Sequence, residues 1–407
     1  MNSKSAVWQL KFPISWPVPP TMMSISALGA IEKCPRQWAL SRATYPQIWD
    51  RSGYPNYPYF GAIEGLVVHQ SLETIVRGII AEGCRSIEDP KVTSVLQRLG
   101  GFTSIIETSI ENVLSSYKLN PRAHNVLDQI EKQLVNRTDT IRTNLQSLLG
   151  KVTVLEDGQD TKDRTGASVS STRRELPYGS HPECELISHK LQWKGIVDLL
   201  VLSKDSCQLF DYKTGDPKEE HEDQVRFYAL LWWRERELNP HADLATDLVL
   251  VYPKETRRID ALDEKMLVTF EESMFRRMND AIESISDTPP EARVCVENCS
   301  FCHVRQLCED YWDLEKEVTD GFCDVEIGLS EHVGHGIWKG VIENGPKLDK
   351  QEDILFKNKT LTEVQLDTGQ RIRVLNAHSH TVESSDTLDG RSYQILTAGS
   401  RSEIYCL

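Results

Sequence analysis

An apolar run closed by an acid-x-lysine triplet constrains this chain more than any other segment: Cys207-Gln208-Leu209-Phe210, then Asp211-Tyr212-Lys213. Thr214-Gly215-Asp216-Pro217 supplies the turn behind it, which places the triplet at a strand end. A second run, Trp193-Lys194-Gly195-Ile196-Val197-Asp198, ends in a carboxylate thirteen residues before Asp211. Strand side chains repeat every two residues, so Lys213 returns to the face of Asp211. The carbonyl of Tyr212 points the opposite way along the strand from its neighbours and offers a further oxygen. Two carboxylates and a lysine at paired strand ends suit a hard cation such as magnesium or manganese.

With 407 residues and 46.3 kDa the chain can bury a large core, and two domains are expected. No apolar stretch is long enough to predict a membrane span, and Met1-Asn2-Ser3-Lys4-Ser5 leads into a Pro-rich segment without a secretory pattern. A cytoplasmic protein with no membrane partner is the expectation. The net charge of -15 argues against a broadly basic nucleic-acid surface. It leaves room for a local groove, because net charge governs solubility and long-range fields.

Residues 1–23 read as an extended lead-in, and Ser24 or Ser26 can cap a short helix that ends near Pro35. Residues 61–82 read as a helix whose apolar face is Ile63, Leu66, Val67, Leu72, Ile75, Val76 and Ile79. Helical periodicity over 91–115 and 121–150 suggests an insertion, about 86–150, of low chemical content. Residues 156–183 read as a solvated loop. Strands are expected at 184–188, 194–202, 207–213 and 248–252, with helices over 220–237 and 261–285. Strands, then helix, then strand predicts a mixed α/β sheet. Beyond about residue 320 the pattern becomes all-β, with a hairpin at Val364-Gln365-Leu366 and Arg371-Ile372-Arg373-Val374 and a turn at Asp389-Gly390. The expected division is therefore 1–319 and a small β module, 320–407, with a barrel as its expected form.

Ten cysteines in a cytosolic setting favour core thiols and metal ligands over disulfides. Cys84, Cys184, Cys207, Cys323 and Cys406 stand alone and read as small buried hydrophobes. Cys299, Cys302 and Cys308 form a C-x2-C-x5-C group with Cys295 just before it, and Cys34 lies 265 residues upstream of Cys299. Four thiolates suit an iron–sulfur cluster. They suit structural zinc as well, which spacing alone favours. Joint ligation would clip the start of this region to its end.

Three further residues enter as candidates. His69 lies on the 61–82 helix, where an ordinary histidine is the bland reading. Glu185, on the strand before Asp198, could orient a ligand or a second metal, or simply face solvent. Gln224 and Tyr228, four apart on a helix, share one face and could hold a phosphate or a base, or mark its boundary. Singly, an acid-x-lysine strand is most often an edge with solvated charges. In company with an ordered second carboxylate, a histidine and a cysteine group, it points to hydrolysis of phosphodiester bonds.

The order of these pieces resembles the RecB-like branch of the PD-(D/E)XK nuclease superfamily in its iron–sulfur form, which includes the nuclease associated with CRISPR adaptation and the nuclease domain of AddB. The resemblance covers about residues 24–315. It implies a restriction-endonuclease-like mixed sheet flanked by helices, with the β module outside it. His69, Asp198 and Asp211 would bind magnesium or manganese with the Tyr212 carbonyl, and Lys213 would be catalytic. Gln224 and Tyr228 would match the QxxxY motif, and Cys34, Cys299, Cys302 and Cys308 would ligate a [4Fe–4S] cluster, with Cys295 ranked below Cys34. The implied substrate is DNA, as single strands or ends, in repair, recombination, CRISPR adaptation or phage defence, with a helicase or other defence protein as partner. A catalytically silent scaffold is the alternative. Val197 stands where the superfamily's name has proline, and His69 lies unusually far from Asp198.

Overall fold

The computed structural model describes residues 7–84, 86–124, 126–154, 173–348, 354–359, 366–382, 393–399 and 402–407. A short strand β1 (Val7–Gln9) precedes helices α1 (Ile25–Lys33) and α2 (Pro35–Arg42). The Ser24 hydroxyl caps α1 by accepting the Ala27 amide at 3.2 Å. As expected, α1 stops just before Pro35. Cys34 ends it and begins a further helix, α2, since proline is well tolerated in a first turn.

Helix α3 (Phe60–Ala81) buries the expected apolar face except Leu66, which is 49 % exposed. The predicted helix over 91–115 is two, α4 (Pro90–Arg98) and α5 (Gly101–Tyr117), because Gly100 and Gly101 sit at φ 85° and 80°. The 121–150 stretch likewise divides at Arg137 into α6 (Leu127–Asn136) and α7 (Thr138–Leu149).

Strands β2 (Gly179–Ser188), β3 (Trp193–Leu202) and β4 (Cys207–Tyr212) form an antiparallel meander. Helix α8 (Glu219–Arg234) then crosses over so that β5 (Asp247–Val251) runs parallel to β4, and β6 (Thr256–Ile259) closes the edge. The polar sequence Thr256-Arg257-Arg258-Ile259 hides β6 from periodicity, as suits an exposed edge strand. Strand β2 begins five residues before its predicted start, because Gly179–Pro182 pair with Leu199–Leu202. Of the rest of the expected loop, 156–172 lies outside the described residues and 173–178 forms neither helix nor strand.

Helices α1, α8 and α9 (Glu264–Ser284) cover one face of this sheet. Helices α3 to α7 cover the other, packing Ile63, Ile75, Leu134 and Leu145 in one core with Leu199, Phe210 and Val251. The insertion is thus half of the sheet's cover. This is the mixed, helix-flanked sheet anticipated from the sequence.

Short helices α10 (Val296–Cys299) and α11 (Glu309–Trp312) lead to the remaining strands: β7 (Phe322–Gly334), β8 (Ile337–Asn344), β9 (Ile354–Asn358), β10 (Arg371–Val382), β11 (Tyr393–Ala398) and β12 (Glu403–Cys406). Pairings β7–β8, β8–β9, β9–β11, β11–β10 and β10–β7 close a ring around Val325, Ile327, Phe356, Val374 and Leu396. Strand β12 pairs with β10, and β1 adds to β12 in parallel, so residues 7–9 join this second sheet. Val364, Gln365, Asp389 and Gly390, named above for their turns, lie outside the described residues.

Buried cations join the two sheets. Arg122 forks onto Glu403 at 2.8 and 2.6 Å and donates to the carbonyls of Pro55 and His303. Arg305 pairs with Asp324 at 2.5 Å, and Arg373 reaches Glu326 while stacking 4.2 Å from the Trp312 ring. Breaking a buried pair leaves its other charge stranded. Arg122→Met is therefore expected to lower unfolding free energy by about 3–5 kcal/mol, read by denaturant titration. A change below about 1 kcal/mol, typical of exposed pairs, would contradict this account of the junction.

Candidate active site and cysteine centre

The antiparallel register of β3 and β4 runs out at Leu199 against Phe210, which sets Asp198 and Asp211 across from each other at the next position. Asp198 accepts the Tyr212 amide at 2.6 Å, which fixes its carboxylate over the β4 end. Asp211 is 1 % exposed, and its Oδ2 lies 2.7 Å from Lys213 Nζ. That ion pair is the cationic contact of the Asp211 carboxylate. Burial, then the Asp211 charge, pushes the Asp198 pKa well above the usual carboxylate range. Burial also raises Asp211, opposed by Lys213 and His69.

Lys213 is held from its other side. Its ammonium donates to Gln224 Oε1 at 2.9 Å, and Gln224 Nε2 donates to the Tyr228 hydroxyl at 2.6 Å. Both come from α8, so the QxxxY pair is committed to Lys213, whereas the sequence suggested a contact with phosphate or base. Tyr228 in turn lies on Gly195: a Cβ there would sit 2.9 Å from the Tyr228 ring and 3.0 Å from Leu231. The glycine of the Gly195-Ile196-Val197-Asp198 run makes room for the chain that fixes the lysine.

His69 approaches from α3 on the opposite side of the sheet, near enough to the Tyr212 backbone, Asp211 and Lys213 for each to bear on its titration. Gly65, one turn earlier, permits the approach, since a Cβ there would lie 2.9 Å from Thr214 Oγ1. Burial lowers the His69 pKa, with the Lys213 charge assisting and Asp211 opposing. The ring is thereby kept neutral at pH 7, the form that ligates metals.

Glu185 is a correction. Its half-exposed side chain pairs with Arg173 at 3.3 Å rather than with the two aspartates. Glu183, which the sequence reading passed over, stands across β3 from Asp198, in the gap between Pro182↔Leu199 and Cys184↔Val197. Its φ of 50° breaks the two-residue alternation of the strand. Burial raises its pKa, with Glu73 and Asp211 adding and Arg77 opposing. A single acidic letter two residues before another carried no signal of that geometry.

This donor set fits a hard divalent ion. It offers two carboxylates that share a single cation, Lys213, with a backbone carbonyl and a neutral imidazole. Among the described residues no group of three or more His, Cys, Asp or Glu stands close enough together to hold a metal ion as placed, so ligation here requires the side chains to draw in.

Cys34, Cys299, Cys302 and Cys308 line one cavity together with Arg36, Arg293 and Arg305. Cys34 Sγ accepts the Gln37 and Arg293 amides, each at 3.4 Å. Burial pushes the Cys302 thiol up to about 12 and Cys308 up to about 11, so any metal must displace their protons. Cys295 does not line the cavity; its carbonyl accepts the Cys299 amide. Cys84, Cys184, Cys207 and Cys323 are buried free thiols, and Cys406 is partly exposed. No helix among the described residues is long and apolar enough to cross a membrane.

No curated protein matches the sequence. Among solved structures, one described as the crystal structure of SSO0001 aligns at 16 % identity over 50 % of this chain and 80 % of its own. Its TM-score of 0.23 makes the superposition too loose to inform the fold. The family model of the PD-(D/E)XK nuclease superfamily, in contrast, matches residues 22–309, well over half the chain and the whole of the sheet that carries Asp198, Asp211 and Lys213. This chain belongs to the PD-(D/E)XK nuclease superfamily.

Proposed function

We propose that the chain is a RecB-like deoxyribonuclease that requires magnesium or manganese and carries a [4Fe–4S] cluster. The superfamily consists generally of nucleases that use divalent metals. The observation that carries the finer reading is the convergence of Asp198, Asp211, Lys213 and His69 from three elements on one strand end. A scaffold without catalysis has no use for a lysine braced from two sides.

When bound, the divalent ion would supply Lewis-acid stabilisation and acidify a water. Asp198, Asp211, the Tyr212 carbonyl and His69 would hold it. Lys213, clamped between Asp211 and Gln224, presents its ammonium where it can orient the attacking water and screen charge growing on the phosphate. Gln224 and Tyr228 act by positioning Lys213. DNA, as single strands or ends, is the substrate this reading favours, with a helicase as the kind of partner that would deliver it. The gathering of four thiols around one cavity supports the cluster reading, and ligation there would tie α1–α2 to the α10–α11 loops.

Manganese-dependent cleavage of single-stranded DNA should fall at least about a hundredfold in Lys213→Ala and Asp211→Asn, with circular dichroism unchanged. Equal inertness of wild type and variants on DNA and RNA would favour the scaffold. Gly195→Ala, which pushes on Tyr228, is expected to lower kcat by about a hundredfold through misplacement of Lys213. Unchanged kcat there would remove the positioning role of Gln224 and Tyr228.

Anaerobically purified protein should be brown, with visible absorbance that bleaches on reduction, and Cys302→Ala should lose colour and solubility. A colourless protein containing zinc would overturn the iron–sulfur assignment.

A further inference from the structure

The closed β module presents rings and lysines on one outer face. Across β7, β10, β11 and β9, one cross-strand row runs Phe322, His378, Thr397, Lys357. His380 stands two residues along β10 on the same outer face, and Lys359 is exposed beyond Lys357 on the β9 side. Phe322 is 40 % exposed, with its ring 5.1 Å from His378, which in turn lies 5.7 Å from His380. The row holds no carboxylate, in a chain with 61 acidic and 46 basic residues. Neither Lys357 nor Lys359 is ion-paired among the described residues.

A built feature of β10 creates this face. Val374 and Ala377 both point inward, because a bulge at Asn376, with φ 55°, shifts the register between them. Without that extra residue, His378 and His380 would turn into the barrel. Asp324 accepts the Asn376 amide at 2.8 Å, and Arg305 donates to its side chain at 3.2 Å. Arg305 also lines the cysteine cavity, so the ring-bearing strand is indexed to the cysteine centre.

We propose that this outer face, built from Phe322, His378, His380, Lys357 and Lys359, is a docking platform for single-stranded nucleic acid. Separated bases expose π-faces that stack on aromatic and imidazole rings whatever their sequence, while lysines follow the phosphates. A duplex hides those faces. Burial, with His378 and the two lysines adding, lowers the His380 pKa, which leaves the ring neutral and free to stack at pH 7. The acidity of the remaining surface repels a polyanion, so an unpaired lysine pair is where one can settle. The proposal rests on the nuclease reading only for the choice of DNA over RNA as polymer.

The test is anisotropy of a labelled oligothymidylate titrated with the full chain in EDTA, where no cleavage occurs. Phe322→Ala/His378→Ala/His380→Ala should weaken binding by about tenfold or more. Lys357→Glu/Lys359→Glu should flatten the dependence of log affinity on log salt by about one unit or more. Both variants alter outward side chains, and unchanged melting temperatures establish that they fold. Wild-type affinity and salt slope in both folded variants, or no oligonucleotide binding by wild type, would overturn the platform and leave the face to a protein partner. Manganese-dependent cleavage separates the two readings. The platform's failure leaves cleavage at unchanged KM, whereas the nuclease's failure abolishes cleavage and leaves EDTA binding intact.

Discussion

Two carboxylates set opposite each other on neighbouring strands, out of bulk water, repel unless a cation joins them. Asp198 and Asp211 occupy that position, and much of the first sheet's surroundings answers the strain. Lys213 neutralises part of it at 2.7 Å from Asp211. The Tyr212 amide stabilises Asp198. Glu183 brings a third carboxylate to the same row.

The supports of that arrangement come from both faces of the sheet. From one, α8 brings Gln224 and Tyr228 over Gly195 to brace the lysine. From the other, α3 comes close at Gly65 and brings His69 toward Asp211 and Lys213. The helices between α3 and β2, which looked chemically empty in the sequence, keep α3 pressed to the sheet through a shared core. Function in this region depends on helix-to-strand approach, and two glycines set that distance.

The strands and their terminal acids were legible because alternation and turn residues are local signals. His69 was legible only as part of an ordered set, since nothing in its own helix distinguishes it. Glu183 was not legible: its position follows from a left-handed backbone that a strand pattern does not foretell. The same limit hid the Gly100-Gly101 break, the polar edge strand β6 and the bulge at Asn376, each of which depends on pairing or backbone geometry. Leu66 was misplaced because a wide apolar stripe on α3 exceeds what its neighbours cover. The buried ion pairs of Arg122, Arg305 and Arg373 are long-range, and no spacing rule finds them.

The central claim is that Asp198, Asp211, the Tyr212 carbonyl and His69 form one divalent-ion site. Anomalous diffraction from crystals grown with manganese tests it most directly. The account predicts a single strong peak, or a closely spaced pair, within ligand distance of both carboxylates and the imidazole. Manganese bound elsewhere, or no peak there at saturating ion with the four groups ordered, would contradict it.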